Sequence, residues 1–183
     1  MIKLDKSLIL TFATAMLIGF SCDEVKELAD IDFNSTVVKT LPVNTNSTSE
    51  MSTSILLDAT ADPEIAKYIN NIKGYEITKL QFAIENYEAD TEDEIYFTGD
   101  LGFGNKNSTQ PSSTCSVSDL PVTHWANTGN FEIAACTNLL NKLSEVLKSD
   151  NAAKIFMTGE FTKAPVSFDL KVTVDVKVTA SPL

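Results

Sequence analysis

The sequence predicts a mainly β (α+β) protein: an antiparallel β-sandwich of about 6–8 strands with two flanking helices. The strongest sign is the segment from Val166 to Thr179. There Val166, Phe168, Leu170, Val172, Val174, Val176 and Val178 alternate with Ser167, Asp169, Lys171, Thr173, Asp175, Lys177 and Thr179. A period of two puts one side of a strand in the core and the other in water. Shorter stretches of strand-like composition recur upstream, and only two segments carry a helical period. A parallel α/β sheet would need near-continuous apolar strands, most of them followed by a helix. The length of 183 residues, 43% of them apolar, fits one domain.

The N-terminus reads as a leader rather than as part of the fold. Lys3 and Lys6 precede the apolar block Leu8–Phe20, which at 13 residues is short of the roughly 20 that cross a bilayer. A positive start, a short apolar region and small residues near its end mark a secretory signal over residues 1–21. The block closes on Gly19-Phe20-Ser21-Cys22. A Cys after a small residue at this point resembles the cleavage site of bacterial lipoproteins. That resemblance implies that Cys22 is thioether-linked to diacylglycerol, cleaved and N-acylated, with palmitate-type chains as the anchor. An ordinary cleaved signal peptide is the alternative. Asp23-Glu24-Val25-Lys26-Glu27 follows, and it resembles the acidic export tag of surface lipoproteins in Bacteroidota-type bacteria. Residues 22–35 then read as an acidic tether and 36–183 as the folded domain.

Along that domain, Thr36–Val43 and Met51–Asp58 have strand composition, with polar Asn44–Glu50 as the turn between them. Asp62-Pro63 opens a helix, with Asp as N-cap and Pro at the first helical position. Ile65, Tyr68, Ile69 and Ile72 would form its apolar stripe, and Gly74 would close it. Tyr75–Tyr87 reads as a strand whose phase slips near Thr78, the mark of a bulge. Glu94–Phe103 alternates again. Residues 104–128 are rich in Asn, Ser, Thr, Gly and Pro, with a short strand around Cys115–Val117. Asn130–Ser149 carries a helical stripe of Ile133, Cys136, Leu140, Leu143 and Leu147. Lys154–Phe161 is a strand in which Phe156 falls on the polar phase, so it should face a helix, a partner or a lipid-like ligand. The charges on the wet side of the last strand would guard it if it lay at a sheet edge.

Composition excludes some functions. All 14 basic residues are Lys, against 25 acidic ones, and the net charge is −11. Cleavage before Cys22 would remove Lys3, Lys6 and Asp5 and leave −12. Nucleic-acid binding calls for a basic surface and usually Arg, so no nucleic-acid partner is expected. One His and three Cys are too few for a Cys/His metal cluster, and no cofactor is expected.

Candidate chemistry is sparse. With Cys22 lipidated in an oxidising compartment, Cys115 and Cys136 can pair; otherwise Cys136 is an apolar stripe residue and Cys115 a loop thiol. His124 is the one histidine available as a base, but no G-x-S-x-G turn accompanies it, and a surface His is the plainer reading. Glu85, Glu88, Asp90, Glu92, Asp93 and Glu94 crowd one turn, which reads as solvated. Calcium there would lack the Gly-centred loop pattern. Trp125 and His124 are candidate ligand contacts, since an exposed Trp125 could stack on a sugar ring.

From Asn138 onward the order is helix, Gly159-centred strand, Ala164-Pro165 and a long alternating strand. That order is similar to the late-embryogenesis-abundant type of immunoglobulin-like sandwich, and the strand ending Ile84-Glu85-Asn86-Tyr87 is loosely similar to its opening strand. The resemblance is architectural and implies no functional residue. As a whole the chain looks like the small cell-envelope lipoproteins of Bacteroidota. The resulting expectation is a non-catalytic binding or structural module held at the outer membrane by its N-terminal lipid, on the cell surface or the periplasmic face. Its partner would be an envelope protein or a glycan. A carrier of an apolar ligand held between sheet and helices is the alternative, and a hydrolase a weaker one.

Overall fold

The computed structural model describes residues 30–182; the leader, Cys22 and the acidic segment after it lie outside the described residues. Seven strands form two antiparallel sheets. In the three-stranded sheet β7 (Val166–Ala180) lies between β1 (Ile31–Thr45) and β3 (Ile72–Ala89). The four-stranded sheet has the order β2 (Met51–Asp58), β6 (Ala152–Phe161), β4 (Tyr96–Asn105), β5 (Ser113–Pro121). The core between them draws on both sheets, and Phe161 of β6 meets Phe168 of β7 edge-on at 5.9 Å. The chain is thus a β-sandwich, as its alternating pattern predicts.

β7 keeps its period of two throughout: every even-numbered residue from Val166 to Ala180 is buried. It is a central strand, however, so its outward charges do not guard an edge. They pair across the ladder instead. Lys171 reaches Glu85 of β3 at 2.9 Å, Lys177 reaches Asp32 of β1 at 2.9 Å, and Asp175 accepts from Thr36 at 2.7 Å. The edges are β1 and β3, and in β1 Pro42 is tolerated because an edge strand has one side without a ladder. β1 also starts at Ile31 rather than Thr36. Its first residues, sequence-assigned to the tether, extend the ladder from Ile31↔Ala180.

The bulge expected near Thr78 is present: the register of β3 on β7 slips between Ile77 and Lys79. Burial changes phase there, from Tyr75 and Ile77 to Leu80, Phe82 and Ile84. The Ile77 N–H beside the bulge donates to Ser144 Oγ at 3.2 Å.

The first helix is much shorter than its stripe predicts. Asp62 caps α1 (Pro63–Lys67), its Oδ1 accepting from Glu64 N at 2.9 Å and Ile65 N at 3.0 Å. The helix ends at Lys67, and Tyr68 turns to pack on Phe33 at 5.4 Å. Ile72 joins β3 opposite Ala180, and Gly74 sits inside that strand instead of closing a helix. Pairing with β7 overrides a helical stripe of only four apolar positions.

Two short turns and a long helix complete the fold. α2 (Val122–Ala126) carries His124 and Trp125, and a 3-10 turn spans Ala134–Cys136. α3 (Leu139–Asp150) buries Leu139, Leu143, Val146 and Leu147, a stripe rotated from the expected one because Ile133 and Cys136 precede the helix. α3 contacts β3 of one sheet and β4, β5 and β6 of the other, so it fills the space between the two sheets. Asn151, left-handed at φ 53°, ends it, with its N–H on Leu147 O at 2.7 Å. Among the described residues there are three α-helices, only one of them longer than five residues, where two flanking helices are expected.

Candidate functional site

Cys115 of β5 and Cys136 are joined as a disulfide, with Cα atoms 5.1 Å apart. Both are buried. The bond ties the lead-in of α3 to the outermost strand of the four-stranded sheet. Phe131 ties the same lead-in to the other sheet, since it exchanges both backbone hydrogen bonds with Phe82 of β3, at 2.8 and 2.9 Å. The segment that sets the position of α3 is thus fastened to both sheets.

Trp125 and His124 sit beside this fastening. The Trp125 ring is partly buried and stacks on Phe131 at 4.7 Å with the planes 22° apart. One face is therefore occupied, and the ring is only partly buried. His124 is exposed and lies edge-on to Trp125 at 5.0 Å, while its backbone N–H donates to Glu94 Oε1 at 3.0 Å.

The acidic turn is held by lysines. Lys163 pairs with Asp93, and that hydrogen bond holds the Asp93 carboxyl below its usual range. Among the described residues no three His, Cys, Asp or Glu side chains are arranged to hold a metal. Of the aromatics in the middle strands, Tyr75, Phe97 and Phe103 are buried and Tyr96 is exposed. Burial pushes the Tyr75 phenol up in pKa, helped by the Asp58 carboxylate, and its hydroxyl donates to Asn151 Oδ1 at 2.9 Å. Phe97 lies over the facing pair Gly99 and Gly159. A Cβ on Gly99 would meet Thr158 O at 2.2 Å, so the strands cross there only without side chains.

Three concave regions stand out. An apolar gap between the sheets, bordered by Leu101, Met157 and Phe168, has room for about 10 Å³, one water at most. A cleft of about 230 Å³ lies between β3 and the Glu132–Leu140 segment. The largest of the three, about 430 Å³, lies on the outer side of the four-stranded sheet, bordered by Ser52, Asp100, Gly102, Gln110, Thr158 and Phe156. Phe156 is buried there, outside the core, beneath the β4–β5 loop. Its odd phase is explained by that loop.

Fold and site together define a disulfide-stapled two-sheet β-protein with a polar groove on one sheet. No protein-family model matches the chain, and no curated protein matches it. Among solved structures, a chain from desmodium yellow mottle tymovirus is similar with TM-score 0.36 and 10% identity, covering 84% of this chain and 90% of that one. A chain from tobacco necrosis virus is similar with TM-score 0.37 and 9% identity, covering 82% and 98%.

Proposed function

We propose that this chain is a non-catalytic binding or structural module of the cell envelope, held at the outer membrane by lipid on Cys22. The observation that carries the reading is the leader itself: Lys3 and Lys6, the apolar block Leu8–Phe20, and Cys22 directly after Ser21. Two or more acyl chains give lasting attachment where one does not. The Cys115–Cys136 bond supports an exported location, because disulfides persist outside the reducing cytosol. β1 begins nine residues after Cys22, a reach of at most about 30 Å, so the anchor would keep the β-body close to the bilayer.

The test is the fate of residue 22. Cells fed an alkyne-bearing palmitate should label the wild-type protein, which should pellet with membranes and lack residues 1–21 by mass spectrometry. Cys22→Ser should lose the label and leave the membrane fraction. An unmodified cytosolic chain that keeps its first 21 residues would overturn the reading.

A further inference from the structure

The outer side of the four-stranded sheet carries an unbroken row of polar side chains. The register places Ser52 of β2, Thr158 of β6, Asp100 of β4 and Ser116 of β5 side by side. Ser52 and Thr158 share a hydrogen bond at 3.1 Å, and Ser116 donates to Asp100 Oδ1 at 2.6 Å. In the next row Gly102 presents bare backbone, and the β4–β5 loop folds over it. A Cβ on Gly102 would lie 2.7 Å from Pro111 Cβ. Gln110 and Pro111 wall the groove and Phe156 lies at its inner end. Its volume of about 430 Å³ lies within the roughly 300–1,000 Å³ usual for ligand sites.

We propose that this groove binds a neutral glycan. The inference rests on the envelope-binding reading above and names its ligand class. A pyranose offers a rim of hydroxyls that both donate and accept, and an apolar C–H face. The groove matches both. Hydroxyls on Ser52, Thr158 and Thr114 and the Gln110 amide donate and accept, and Asp100 accepts. Pro111 and Phe156 supply the apolar strip. Charge disfavours an anionic ligand. Asp100 repels anions, and Lys154, 5.5 Å from the centre of the Phe156 ring, is already engaged by Ser108 O at 3.2 Å. A peptide adding as a strand would need the unpaired N–H and C=O groups of a sheet edge, whereas this sheet face presents side chains.

The experiment uses the full chain, labelled with ¹⁵N, extracted in detergent and titrated with cellohexaose, laminarihexaose, maltohexaose, mannohexaose and xylohexaose. At least one should give saturable amide shifts centred on Gly102, Thr114 and Thr158. Asp100→Ala and, independently, the groove-filling Thr114→Trp should each weaken that titration at least about tenfold with thermal midpoints unchanged. Loss of response only through unfolding, shifts centred on Trp125 instead, a response to random-sequence peptides but to no sugar, or no response to any hexasaccharide at millimolar concentration would each overturn the proposal. Anchoring is read separately. A lipid-labelled chain with no sugar response sinks the groove alone, and a sugar-binding chain that never acquires lipid sinks the anchor alone.

Discussion

Reducing the Cys115–Cys136 bond should cost the protein a large part of its stability without substituting a single residue. The two cysteines are 21 residues apart. Releasing a loop of that size returns roughly 11 cal/mol/K of entropy to the unfolded chain, or about 3.3 kcal/mol at 25 °C in the loop-closure treatment. For a domain of this size that corresponds to a fall in thermal midpoint of roughly 7–13 °C. The assay is thermal and urea unfolding of a Cys22→Ser background, oxidised against dithiothreitol-treated, so that only this pair of thiols matters. Reduction removes no heavy atom from the core, so most of the loss is the chain term. The Cys136→Ala variant should fall further, because it also loses buried sulfur contacts. Hydrogen exchange should quicken first at α3 and β5, the elements the bond joins, and last along β7. Equal midpoints with and without reductant, together with two thiols titrating in the unreduced unfolded chain, would refute the cross-link and its energetics.

Other perturbations separate the parts of the fold. Val174→Asp places a carboxylate at a fully buried position between Val37 and Leu80 and should destabilise by several kcal/mol. Lys171→Asp, which breaks a half-exposed pair with Glu85, should cost under about 1 kcal/mol; equal effects in urea titrations would refute the burial of β7. Phe156→Ala should cost about 3 kcal/mol and speed amide exchange in residues 106–112, since that loop rests on the ring; unchanged exchange would show that the ring does not hold it. Asp32 is held below its usual pKa by hydrogen bonds from Lys177 and Thr179, and Lys177 is held above its own by Asp32. The Asp32 contribution is therefore present above the ordinary carboxylate range and lost as pH falls through the lowered value. That of Lys177 is present below the ordinary Lys range and lost as pH rises through the raised value. The stability gap between wild type and Asp32→Asn should thus be widest near neutrality, close at both extremes, and shrink in high salt; a gap independent of pH would show that the pair contributes nothing.

What could be read from the residues follows the range of the forces involved. β7 was legible because fifteen residues alternate without a break, and the Thr78 bulge because a bulge must shift that phase. Asp62-Pro63 announced where α1 starts, since capping is a local event. Its end was not legible: Ile72 belongs to the partner that Ala180 supplies more than a hundred residues later. β5 was seen only around Cys115–Val117, because Thr114, Ser116 and Ser118 fit a loop as well as the outer side of a strand. Trp125 drew attention as a rare aromatic, yet its exposure depended on where Phe131 would fall. The groove was hidden for the same reason. Ser52, Asp100, Ser116 and Thr158 come from four strands, and only the register aligns them.

β1 and β3 never touch each other's backbone; each finds its ladder only on β7, the final strand of the described fold. A growing polypeptide therefore cannot close that layer until β7 emerges. Until then β1 and β3 wait without a ladder and with an apolar side unclaimed, exposed to whatever binds sticky segments in the meantime. If the chain is exported unfolded, as the anchored reading proposed above requires, late completion keeps the polymer threadable. The cost is a dependence on whatever shields β1 and β3 until then, and loss of β7 alone would leave those two strands as orphan ribbons.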